Sequence, residues 1–146
     1  MATTFLGYNR NASTGATTQV LGVGTALVDK DGHTLVLPSG YVVVSARIQH
    51  VSGTPAPADG PGANVADSVQ IRSGSDVVET ATFADLAAYN HLAVIGSGSA
   101  AAPTGAKSSN QTLKLHGYDN GTGDSDLADN GALFCAVIKI RPMPTL

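Results

Sequence analysis

The chain has 146 residues, the size of one domain, and is long enough to bury a substantial core without disulfides or metals. Charged residues make up 13% and hydrophobic residues 42%, a pairing that excludes the highly charged, weakly apolar composition of disordered chains. The net charge is −3 and the eight Lys/Arg are dispersed from Arg10 to Arg141, which excludes the linear basic patch of a nucleic-acid binder and predicts no such partner.

Residues 1–16 are polar and rich in Gly, Ser and Thr, and read as an N-terminal arm. Strand-like segments follow. Val20–Val28 is broken by Gly22 and Gly24, which mark a bulge or a close backbone contact. Asp31-Gly32 is a hairpin turn leading into Thr34–Leu37. From Val42 the apolar residues Val42, Val44, Ala46 and Ile48 alternate with Ser45, Arg47 and Gln49, the pattern of a half-buried strand. Ser68–Arg72 directs Val69 and Ile71 inward and turns through Ser73-Gly74-Ser75 into Val77–Phe83. Ala84–Asn90 has the length of one or two helical turns, and His91–Ile95 is a short strand. Gln111–His116 points Leu113 and Leu115 inward, and Ala132–Arg141 does so with Phe134, Ala136, Ile138 and Ile140. Pro142 and Pro144 end the ladder in a short tail.

This gives eight strands separated by turns, with no sustained helical period and no repeat. The expected fold is an all-β, eight-stranded antiparallel sandwich of jelly-roll topology, with an immunoglobulin-like sandwich as the alternative. The domain limits are 1–16 arm, 17–141 sandwich and 142–146 tail. Three connections are long, Ser52–Val65, Gly96–Asn110 and Tyr118–Gly131. A jelly roll places the first and third at one end. No apolar run reaches the roughly 20 residues of a membrane helix, no signal-peptide pattern occurs at Met1, and no membrane partner is expected.

Candidate chemistry is sparse. The loop 119–130 carries Asp119, Asp124, Asp126 and Asp129, oxygen donors of the kind calcium takes, but without EF-hand spacing and without a closing Glu. A turn-rich solvated loop explains it as well, so no cofactor is expected and calcium is the alternative. His33, His50, His91 and His116 form no metal-binding or catalytic motif and read as surface or rim histidines. No nucleophile elbow or carboxylate pair appears, and the expectation is a protein that is not an enzyme. Glu79, the chain's single glutamate, reads as a charge that blocks pairing at a sheet edge. Cys135, the lone cysteine, lies in an apolar run and reads as a buried, unreactive thiol. The outer face of the last strand begins apolar, with Leu133, Cys135 and Val137. Together with Phe5 and Tyr8 of the arm, Leu133 and Val137 are the candidate interface residues for a homo-oligomer.

The polar arm, the charge-poor β-domain, the loop Thr54-Pro-Ala-Pro-Ala-Asp-Gly-Pro61 and the Pro-terminated tail resemble the cement, or decoration, proteins of tailed-phage capsids. The resemblance implies a structural virion protein. It would be a homotrimer bound to the major capsid protein on the outside of the head, assembled in the host cytoplasm and stabilising the shell. It transfers no catalytic residue. The alternative function is a ligand-binding β-sandwich, such as a carbohydrate-binding module or a C1q/TNF-like head.

Overall fold

The computed structural model describes residues 3–52, 68–82, 94–95, 109–119, 123–127 and 132–142. Ten strands run through them: β1 (Thr3–Tyr8), β2 (Thr25–Ala26), β3 (Val36–Leu37), β4 (Tyr41–Ser52), β5 (Ser68–Ser73), β6 (Asp76–Thr82), β7 (Val94–Ile95), β8 (Gln111–Asp119), β9 (Gly123–Asp124) and β10 (Leu133–Pro142). The described residues contain no helix, and every strand pairing is antiparallel.

Two sheets form an all-β sandwich. The first has the order β1-β10-β4-β7; the second has the order β2-β8-β5-β6, with β3 and β9 also on β8. Since β5 occupies one side of β8, the short pieces β9, β2 and β3 lie in succession along its other side. The inward sets of the two sheets meet in one core, which includes Val43, Ala46, Ile48, Val69, Ile71, Leu113, Leu115, Phe134, Ala136, Ile138 and Ile140. The inward residues expected for β5, β8 and β10 are those observed.

Three expectations change. Within the segment read as an arm, Thr3–Tyr8 is a full strand on the edge of the first sheet, paired with β10 from Thr3↔Ile140 to Tyr8↔Cys135. Its inward residues are Thr3, Phe5 and Gly7, which carry no apolar alternation to read. The segment Val20–Val28 is not one strand. Thr25–Ala26 pairs with β8 in the second sheet, while Val28 bridges Tyr8 in the first, so the chain changes sheets within three residues. In β4 an irregularity opposite Lys139 and Ile140 inserts Val44, so Val43 enters the core and Val42 faces the other way. One extra residue reverses every face beyond it.

The Asp31-Gly32 turn forms as expected: Gly32 has φ +85° and the Asp29 N–H donates to His33 O at 2.8 Å. Ser52 pairs with Leu133 and Ser68 with Tyr118, so the 53–67 and 120–132 connections leave and enter the two sheets at one end of the sandwich. The expectation that they share an end therefore holds for the flanking strands. The bulk of these loops, 96–108, the suggested helical turn 84–90 and the tail 143–146 lie outside the described residues.

Asn9, fully buried, ties this end together. Its Nδ2 donates to Thr18 O at 2.8 Å and Ala132 O at 2.9 Å, and its Oδ1 accepts from the Phe134 N–H at 2.8 Å. Asn9→Ala strands those three backbone groups. Equilibrium urea unfolding should show a loss of about 3 kcal/mol, since each orphaned buried group costs roughly 1–3 kcal/mol less what water recovers. A loss below about 1 kcal/mol contradicts the assignment.

Candidate interaction faces

Alternation sorts the side chains of the first sheet. Between the inward residues of β1, β10 and β4 stand the outward rows Thr4–Lys139–Ser45, Leu6–Val137–Arg47 and Tyr8–Cys135–Gln49. All four sequence-chosen interface residues thus fall on β1 and β10, and two of them, Tyr8 and Val137, stand in the outward rows. Tyr8 and Val137 face outward, half-buried, whereas Phe5 is half-buried against the core. Leu133 lies at the strand end and is buried.

Cys135 is also buried although it faces away from the core, and burial raises its thiol pKa. Tyr8 stands beside it, its hydroxyl pKa raised by burial and then by the thiol. The Arg10 guanidinium sits 4.7 Å from the centre of the Tyr8 ring.

This face also gathers charge that is scattered in sequence. Arg47, Lys139 and Arg141 are exposed on it, and Arg10 lies over Tyr8. The strands β1, β4, β7 and β10 contain three basic residues and no Asp or Glu, whereas the other sheet's strands contain Arg72 and Lys114 against Asp76, Glu79, Asp119 and Asp124. The dispersal of Lys/Arg along the chain concealed this segregation. Cross-strand register, not sequence proximity, brings Arg47 diagonal to Lys139. Val137 stands beside Arg47 and in line with Lys139, and Leu6, 49% exposed, flanks it on the edge strand.

Beside β1 a cleft of about 440 Å³ opens between Thr4–Tyr8 and the hairpin 29–36. Phe5, Leu6, Leu35 and Val36 give it apolar walls, and Asp29, Lys30 and Asp31 form its charged rim. Asp29, Asp31 and His33 bring ligand atoms within 4.8 Å of one another. Their arrangement is that of the turn: Asp29 Oδ1 accepts the N–H groups of Asp31 and His33, each at 2.9 Å.

Within the acidic loop, the described carboxylates of Asp124 and Asp126 have protein partners. Asp124 forms a two-pronged pair with Arg72, whose guanidinium also holds Gln70 Oε1 at 2.7 and 2.9 Å. This pairing keeps the Asp124 carboxyl below the usual range. Asp126 Oδ1 accepts the Gly22 N–H at 2.8 Å, Asp119 closes the β8–β9 ladder through its backbone, and Asp129 lies outside the described residues. Of the calcium candidates, Asp124 is thus bonded to Arg72 of β5 and Asp126 to the Gly22 backbone.

That packing makes the two strand-breaking glycines intelligible. A Cβ on Gly22 would stand 2.7 Å from Ser125 N, and one on Gly24, at φ +104°, 2.7 Å from the His116 ring. Both mark close contacts, as the sequence suggests.

The histidines are less superficial than expected. His33 is exposed, but His50 and His116 are buried, and His91 lies outside the described residues. His50 packs its ring 5.9 Å from Phe134. His116 shares a hydrogen bond of 2.9 Å between Nδ1 and Gly22 O, while its Nε2 is buried without a partner.

No family model, curated protein or solved structure matches the chain.

Burial lowers the His116 pKa, the Gly22 carbonyl opposes that shift, and the charge of Arg72 adds to it. The unfolded chain, with an ordinary imidazole, then takes up this proton at higher pH than the native one. The stability His116 contributes is complete above about pH 6.5 and declines as the pH falls toward the lowered native value. Urea midpoints measured at about pH 7.5 and 5 should converge for His116→Gln relative to wild type. An identical acid-induced drop in both proteins contradicts the assignment.

Proposed function

We propose that this chain is a non-catalytic structural subunit, a capsid decoration protein that docks through the outer face of its first sheet onto an acidic surface of a phage shell. The observation that carries this reading is the segregation of charge: a chain of net charge −3 holds one sheet face with basic residues and no acids. The apolar pair Leu6 and Val137, beside Arg47 and Lys139, matches the mixed apolar and Arg-containing make-up of protein interfaces. The same features speak for a protein partner over nucleic acid, whose phosphates favour contiguous basic residues without an apolar middle.

Strand order supports the finer jelly-roll reading. With β2 and β3 counted as one strand and β9 as part of a loop, the sheets contain the first, last, third and sixth strands and the second, seventh, fourth and fifth. Two Greek keys folded together generate that alternation. Such a sandwich presents a stable, mostly uncharged body, and the low total charge limits the desolvation needed on a crowded shell.

The test is cosedimentation with empty heads built from the major capsid protein encoded nearest to this chain's gene, followed by the melting temperature of the heads. Wild type should bind saturably and raise that temperature. Arg47→Glu with Lys139→Glu should weaken binding at least about tenfold without altering the fold, since reversed charges on a docking face repel what they formerly attracted. Absence of binding, binding indifferent to the double reversal, or stronger binding to duplex DNA than to heads overturns the reading.

A further inference from the structure

We propose that the outer edge of β1 is a self-association edge, at which two copies pair antiparallel about a two-fold axis with Thr4 opposite Leu6 of the second copy. This contact does not depend on shell binding. It predicts an even-numbered oligomer in place of the trimer that the resemblance implies.

Backbone geometry makes the edge available. In an antiparallel strand the hydrogen-bonding groups of alternate residues point to opposite edges. Tyr8 exchanges both of its backbone bonds with Val28, at 2.8 and 3.0 Å, on the side away from β10. Leu6 and Thr4, at two-residue steps from Tyr8, direct their N–H and C=O groups to that same side. The chain beyond Val28 turns away at Asp29 into the hairpin, and no described residue pairs with those four groups. They line the apolar cleft.

Edge strands of monomeric proteins are usually blunted by charge, proline, bulges or shortness. The outermost strand of the second sheet, β6, carries Asp76 and Glu79, and β7 and β2 are two residues long. β1 has none of these devices: Thr3-Thr4-Phe5-Leu6-Gly7-Tyr8 is uncharged, free of proline and regular in register.

The occupant follows from length and charge. Four edge groups are too few to repay the ordering of a flexible peptide, so the guest is a strand already held in a sheet. A two-fold contact sets each side chain near a copy of itself, which any charge on the strand would oppose, and β1 carries no charge. Tyr8 is already engaged by Val28. Thr4 against Leu6 and Leu6 against Thr4 is therefore the register that uses both free residues of both copies. It brings Phe5 opposite its counterpart over the cleft and sets Thr4 of the second copy beside Leu6. The outward rows then continue across the axis, so the basic face of one copy is joined to that of the other.

Native mass spectrometry of the full chain should show a dimer or an even multiple of it. Thr4→Pro removes an edge N–H that β10 does not use, so it should give a monomer with an unchanged circular dichroism spectrum. Across the axis the two Phe5 Cα atoms are about 4.5 Å apart, within disulfide reach. In a Cys135→Ser background, mild oxidation should therefore cross-link Phe5→Cys at least tenfold faster than Thr4→Cys or Leu6→Cys, whose like positions lie roughly 8 Å apart. A monomeric or trimeric wild type, a Thr4→Pro protein that remains dimeric, or faster cross-linking at position 4 or 6 overturns the proposal. If Phe5→Cys does not fold, the mass of the Thr4→Pro protein still decides it. Shell binding without dimers would sink this inference alone, and dimers without shell binding would sink the docking reading alone.

Discussion

The side chain of Asn9 fixes the end of the sandwich on which the other features depend. It terminates β1, and it needs both a donor and an acceptor, because it must meet two carbonyls and one N–H whose positions are set by different elements. Those partners are 9, 123 and 125 residues away in sequence. An amide supplies both polarities on one rigid group, whereas an aspartate would aim negative charge at two carbonyl oxygens. Holding Thr18 against β10 also sets where the following segment starts. From there Val20 O accepts from Leu127, Leu21 O from Gly117, and Gly22 meets both His116 and Asp126. The 9–24 and 123–127 segments thus form a polar belt across one end of the core.

What was legible in the sequence is what repeats with period two. β5, β8 and β10 show alternating apolar residues, and their inward sets appear in the core as read. β1 was hidden because its inward positions are Thr3, Phe5 and Gly7, which mix polarity and size. The β4 faces misled because a three-valine run gives no sign of which valine is the extra one, and cross-strand register alone decides it. Among the candidate sites, the acidic loop shows its carboxylates in sequence but not their partners. Arg72, some fifty residues upstream of Asp124, becomes its neighbour only through the β5–β8 pairing and the β9 return. Asn9 gave no signal, since a single Asn in a polar stretch is ordinary.

Charge follows the same logic. Along the chain the basic residues are evenly spread, but β4 and β10 collect Arg47, Lys139 and Arg141 on one face because each alternates with inward core residues, Ala46, Ile48, Ile138 and Ile140. Among the described residues, the acids lie in the other sheet, in the 29–31 hairpin and at Asp126. Electrostatic self-repulsion is small at this total charge, so the segregation costs the fold little and gives the molecule a definite orientation in the field of a charged partner.

The corner at Val28 links the basic face to the open edge. Thr25–Ala26 belongs to the second sheet and Val28 to the first, so this segment closes one side of the sandwich in three residues. A longer run beside β1 would have covered Leu6 and Thr4 as well. Instead Asp29, whose carboxylate caps the N–H groups of Asp31 and His33, starts a tight turn immediately after a single bridge. The turn thereby limits the cover of β1 to Tyr8. The edge groups of Thr4 and Leu6 are left beside an apolar cleft, where water satisfies the backbone but gains nothing from Phe5 and Leu35. A second strand satisfies the backbone and removes that apolar surface together, which is the balance that favours pairing over hydration at this edge.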